Sequence, residues 1–79
     1  MTDVQHDILD FLSKQACTER VLNLITLQLG IDVMVSAKIK PVSTYSLKEF
    51  IDAINQCEKE MKQKFPQVRW IFIEPDLYD

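Results

Sequence analysis

This chain of 79 residues has one glycine, one histidine and no apolar run near the ~20 residues needed to cross a bilayer. With Gly30 as the sole glycine, a glycine-rich phosphate loop is excluded. The sole histidine, His6, falls on a charged face of the first predicted helix, so no serine or cysteine has a base placed to activate it, and the chain reads as a non-enzyme. A basic cluster is also missing. Nine basic against twelve acidic residues give a net charge of -3, which offers a phosphate backbone little, so nucleic acid is not an expected partner. No charged segment with a cleavage site opens the chain, which therefore reads as soluble and unprocessed. Cys17 and Cys57 form neither a CxxC pair nor a disulfide framework and read as two reduced thiols of a cytoplasmic protein.

What is present is a globular composition, 47% hydrophobic and 27% charged, that should fold as a single domain over 1–79. A chain this short buries only roughly 60% of its unfolded surface, so a second copy would help its core. Periodicity predicts a helix over about 3–15, begun by Thr2 or Asp3, with Val4, Ile8, Phe11, Leu12 and Gln15 on one face and Asp3, His6, Asp7 and Asp10 on the other. "VLNLITLQL" predicts a strand over 21–29, reversed by Gly30-Ile31-Asp32 into a second over 33–40. In that second strand Val33, Val35, Ala37 and Ile39 alternate with Met34, Ser36, Lys38 and Lys40, so one face is core. Ser46-Leu47-Lys48-Glu49 has the form of a capping box and opens a helix over 46–64, with Leu47, Phe50, Ile51, Ile54, Cys57, Met61 and Phe65 along one side. After Pro66 comes a last strand over 68–74.

Helix, strand, strand, helix, strand folds most simply as an α+β two-layer sandwich. The hairpin is antiparallel, the right-handed crossover makes the last strand parallel to the second, and both helices cover one face of a three-stranded mixed sheet. The opposite face is then bare, yet its residues are not those of a solvated surface. Trp70 and Phe72 alternate with Ile71 and Ile73 in the last strand, and Leu22, Leu24 and Thr26 with Val21, Ile25, Leu27 and Leu29 in the first. Two apolar sides call for two burials, and a partner surface is the economical second one. Met34, Ser36, Trp70 and Phe72 are its expected members, in a homodimer.

The succession "ERVLNLITLQLG", "VMVSAKI" and "SLKEFIDAINQCEKEMKQKFPQVRWIFIEPD" resembles the cytoplasmic C-terminal domain of cation diffusion facilitator transporters. The most specific pieces are Phe65-Pro66-Gln67-Val68 and the ending Ile71 to Pro75, and the likeness spans about Glu19 to Asp76. It implies a ferredoxin-like, metallochaperone-like αββαβ fold, carried on the cytoplasmic side of a transmembrane domain of six helices and paired with its twin. It also implies a role in divalent metal efflux, in which many such pairs bind zinc or another divalent cation between them. The family's histidine positions correspond here to Leu22, Ser36, Ile51 (or Phe50) and Phe72, and only the acid survives, as Glu74. Zinc prefers a closed set of His and Cys ligands, so Glu74 alone makes a weak metal site and packing is expected to hold the pair.

Two other features stay open. Asp3, His6, Asp7 and Asp10 share a helix face and are the ligands to expect for zinc, manganese, iron or cobalt if the chain is instead a free-standing ferredoxin-like metal- or ligand-binding module. The same residues also suit a solvated face near a helix N-terminus. Glu58 stands in a slot that periodicity gives to an apolar side chain, and Arg69, Lys38, an uncapped amide or a subunit contact are the partners to expect for it.

Overall fold

Ser46 starts the longest element of the fold. Its hydroxyl accepts the Glu49 N–H at 3.1 Å while the Glu49 carboxylate accepts the Ser46 N–H at 2.8 Å, a reciprocal cap that fixes where the helix begins. The computed structural model describes residues 4–77, in the order α1 (Val4–Ser13), β1 (Thr18–Leu29), β2 (Asp32–Pro41), α2 (Leu47–Lys64) and β3 (Val68–Pro75). Asp3, the first of the acids read as a possible cation face, lies outside the described residues, as does the expected Thr2 or Asp3 cap. Helix α1 stops at Ser13, short of the expected Gln15, whose N–H turns back to the Leu12 carbonyl and whose side chain donates to that of Phe11.

The sheet has the order β1-β2-β3, antiparallel in the hairpin and parallel across the crossover. This is the α+β sandwich that the alternation of elements requires. Leu29 pairs with Asp32, so the reversal is a two-residue turn, Gly30-Ile31, shorter than the three residues expected. Gly30 has φ of 67° and no other described residue has positive φ, the pattern of a type II′ turn, whose twist matches that of the strands it joins.

Both helices cover one face. Ile8 and Leu12 of α1 and Phe50, Ile54, Cys57 and Met61 of α2 pack on Val33, Val35, Ala37 and Ile39 of β2, with Cys17, Phe65 and Val68 closing the core. Phe11 meets Phe65 edge to face with centroids 6.1 Å apart, tying the end of α1 to the end of α2. The expected core stripe of α2 was too wide: Leu47 and Ile51 are 55% and 41% exposed. At ~100° per residue they lie ~60° and ~100° round the helix from Phe50, whereas Ile54, Cys57 and Met61 fall within ~40° of it.

Strand β1 begins at Thr18, earlier than the alternation indicates, and carries irregularities between Thr18 and Arg20 and between Val21 and Asn23. The second changes which side chains share a face. Val21 pairs with Ile39 and packs against the core with Leu24, whereas uninterrupted alternation would place it beside Ile25 and Leu27.

Candidate functional site

The uncovered face of the sheet is built from rows of strand-paired residues. Leu27 lies beside Met34 and Met34 beside Trp70; Ile25 lies beside Ser36 and Ser36 beside Phe72; Asn23 lies beside Lys38 and Lys38 beside Glu74. Two rows are apolar but for one hydroxyl, and the third is polar. Strand pairing sets this arrangement, since partners across a ladder project to the same side. Ile71 and Ile73 pair with Val35 and Ala37 and pack toward the helices, which leaves Trp70 and Phe72 on the open side. Phe72 is 57% exposed, Trp70 42%, and Ile25 and Leu27 46% and 47%. Met34 and Ser36, at the centre, are half-buried by these neighbours. The result is a contiguous apolar patch with a charged border, the anatomy of an interaction surface.

Lys38 Nζ approaches Glu74 Oε1 at 3.9 Å, an exposed pair at that border. A cleft of about 480 Å³ runs along β3 and is lined by Ser36, Glu58, Ile71, Phe72, Ile73 and Glu74. Of the positions corresponding to the family's ligands, the fold thus gathers Ser36, Phe72 and Glu74. Leu22 lies elsewhere, in the irregular part of β1 beside Leu9 and Val21, Phe50 is in the core, and Ile51 is on the exposed flank of α2. A hydroxyl, a phenyl ring and a carboxylate engaged by lysine do not make a zinc site, and the carboxylates Glu74 and Glu58 are hard donors only. Among the described residues, no three His, Cys, Asp or Glu side chains come together.

The charged face of α1 is exposed, and its Asp10 carboxylate is held by Lys14 at 3.0 Å. His6 and Asp7 are also on that exposed face. Glu58 is half-buried above β3, and burial pushes its carboxyl above the ordinary value, offset in part by Lys62 one turn along. Three of its expected partners within the chain are otherwise engaged or absent: Lys38 goes to Glu74, the amides at the start of α2 are capped by Ser46, and no ion pair joins Arg69 to Glu58. Glu58 therefore belongs to the flank of α2 with Leu47 and Ile51, and the buried core position at that turn is Cys57.

Solved structures supply the comparison that decides the fold. The MamM C-terminal domain superposes with a TM-score of 0.83 at 12% identity, covering 92% of either chain. The fold is that of the MamM C-terminal domain. A nickel form of that domain superposes with a TM-score of 0.84, again at 12% identity, covering 96% of either chain. The MamM domains are ferredoxin-like cytoplasmic domains of the cation diffusion facilitator family, the family that the sequence resembles. No protein-family model and no curated protein sequence matches the chain. The likeness to MamM therefore reaches the path of the backbone and the layering of helices on sheet.

Proposed function

We propose that this chain serves as the cytoplasmic C-terminal domain of a divalent-cation efflux transporter and acts there as a homodimerisation module. The observation that carries the dimer is the open sheet face, where Ile25, Leu27, Trp70 and Phe72 stand about half exposed around Met34 and Ser36. The transporter assignment rests on the likeness to MamM domains, one of them in a nickel form, together with the sequence resemblance from Glu19 to Asp76. No helix among the described residues is long and apolar enough to cross a membrane, so membrane attachment would come from a transmembrane domain in the same transporter. The role is architectural and not catalytic: two copies packed on Trp70 and Phe72 hold paired membrane domains in register. Glu74 is at most a weak contributor to divalent-cation binding, since Lys38 already engages its carboxylate.

Sedimentation equilibrium of the domain in EDTA, and again with Zn(II), Ni(II), Mn(II), Co(II) or Fe(II), tests this reading. A dimer in EDTA, with an affinity that the cations leave unchanged, is the expected result. A monomer in EDTA that pairs only when a cation is added would replace packing with metal bridging.

A further inference from the structure

The sheet has two outer edges, and the fold treats them differently. On β1, the Gln5 side chain of α1 donates to the Leu24 carbonyl at 3.4 Å and accepts the Thr26 hydroxyl at 3.2 Å, so a helix residue lies against that edge. On β3 the Asp76 N–H donates to the Ile39 carbonyl at 2.9 Å. Main-chain groups alternate sides along a strand, so Glu74, Phe72 and Trp70 also direct theirs to β2. The N–H and C=O groups of Ile71 and Ile73 therefore point away from the sheet, and no described strand pairs with them.

Above that edge runs the exposed flank of α2. Leu47, Ile51 and Glu58 fall within ~40° of one another around the helix, and Glu58 lines the cleft with Ile71 and Ile73. The cleft is lined by two carboxylates, Glu58 and Glu74, the latter 3.9 Å from Lys38, and by no basic side chain among the described residues. Burial keeps the Glu58 carboxyl above its usual range and Lys62, one turn along α2, offsets this only in part, while no ion pair within 4 Å holds Glu58 among the described residues. These features define an occupant: backbone donors and acceptors at the spacing of a strand, apolar contact below, and a positive charge on the helix side.

We propose that the outer edge of β3 takes an extended polypeptide segment as a fourth strand, with a lysine or arginine of that segment reaching Glu58. Main-chain hydrogen bonds to Ile71 and Ile73 supply the register, and the alternation of side chains supplies the selectivity. A basic residue on one side of the added strand meets Glu58 and Ile51, while apolar residues on the other side extend the surface made by Trp70 and Phe72.

The probe is a blocked seven-residue peptide of alternating valine and lysine, compared with the same peptide carrying glutamate for lysine. Amide hydrogen exchange followed by NMR on the whole chain should slow at Ile71 and Ile73 when the lysine peptide is added. The glutamate peptide should leave these amides unchanged, and Glu58→Gln should weaken the lysine peptide at least tenfold. Ile73→Pro, checked for folding by circular dichroism, should abolish the effect because it removes one edge donor. Repeating the titration in Leu27→Glu, which disrupts the open face on the far strand, keeps the edge separate from the proposed dimer. No slowing at Ile71 and Ile73, equal binding of both peptides, or binding untouched by Glu58→Gln would overturn the proposal. Protection at these amides that needs no peptide and grows with protein concentration would do so in favour of a second copy.

Discussion

Replacing Phe72 with glutamate is the sharpest perturbation of the proposed dimer, because the residue is more exposed than Ile25, Leu27 or Trp70 on the open face and contributes little to the core. Phe72 is 57% exposed, and with ~200 Å² for a phenylalanine that leaves ~115 Å² for a partner to cover. At ~25 cal/mol per Å², complete coverage contributes ~3 kcal/mol per protomer. A two-fold contact contains the residue twice, so its loss costs ~6 kcal/mol, or about four decades in Kd. If the partner covers half of that area, the loss is ~3 kcal/mol, still about a hundredfold. A desolvated carboxylate in its place adds to either figure. Sedimentation velocity over a wide concentration range in EDTA reads the Kd directly, and thermal unfolding confirms that the variant still folds. Leu47→Glu is the control, an exposed apolar residue on the helix side of the domain that should leave the Kd unchanged. Weakening of less than tenfold in Phe72→Glu, or equal weakening in Leu47→Glu, would refute the assignment of the open face as the contact.

Other parts of the fold give sharp expectations. Burial pushes the Cys57 thiol up to about 12 from an ordinary 9.0, with Cys17, Glu60 and Glu58 acting in the same direction. The unfolded thiol ionises first, so this contribution to stability is complete below about pH 9 and is lost as pH climbs toward about 12. Thermal melts should fall less steeply over that window in Cys57→Ala, and a thiol reagent at neutral pH should label the native protein only as fast as it opens. Ser46→Ala removes one half of the capping box and should cost about 1 kcal/mol in urea unfolding. The Ser46 N–H and hydroxyl hold the Glu49 carboxylate below its ordinary value, so its support is present above the unfolded carboxylate value and vanishes as pH falls through the lower folded one. Acid unfolding should then begin at a higher pH in Ser46→Ala. Gly30→Ala should cost about 1 kcal/mol by denaturant unfolding, from the positive φ alone, because a Cβ there meets nothing within 4 Å.

The legibility of the fold in the sequence followed how strictly each element obeys one period. Strand β2 is the central strand and is paired on both sides, so its alternation of Val33, Val35, Ala37 and Ile39 with Met34, Ser36, Lys38 and Lys40 maps onto the two faces without error. The start of α2 was legible because a capping box is a local interaction, complete within four residues. Strand β1 was read less well. Its irregularity between Val21 and Asn23 shifts the faces by one residue, and no single position in "VLNLITLQL" announces that shift. The width of the α2 stripe was misread for a related reason. Leu47 and Ile51 have the period of a core face, but three strands supply too narrow a floor to cover the whole apolar sector of the helix. The crossover places β3 at an outer edge, but the cleft between that edge and α2 was not legible, since it depends on which flank of the helix hangs over the strand, a tertiary fact.

The same pairing explains why an acid at the position of Glu74 does not amount to a metal centre. Lys38 and Glu74 are cross-strand neighbours, and their partnership follows from the register that sets Ser36 beside Phe72 and Met34 beside Trp70. A divalent cation arriving at Glu74 would meet an ammonium group already near its carboxylate, would repel that group, and would find only a serine hydroxyl and a phenyl ring in the next row. Shielding from water strengthens the repulsion from Lys38 and the attraction to Glu74 together, so covering this face supplies no further ligand and leaves the cation one carboxylate shared with an ammonium group. Apolar contact is strengthened by the same exclusion of water. One register thus favours packing and disfavours metal at the same place, which is why Phe72 and not Glu74 is the residue on which the proposed dimer turns.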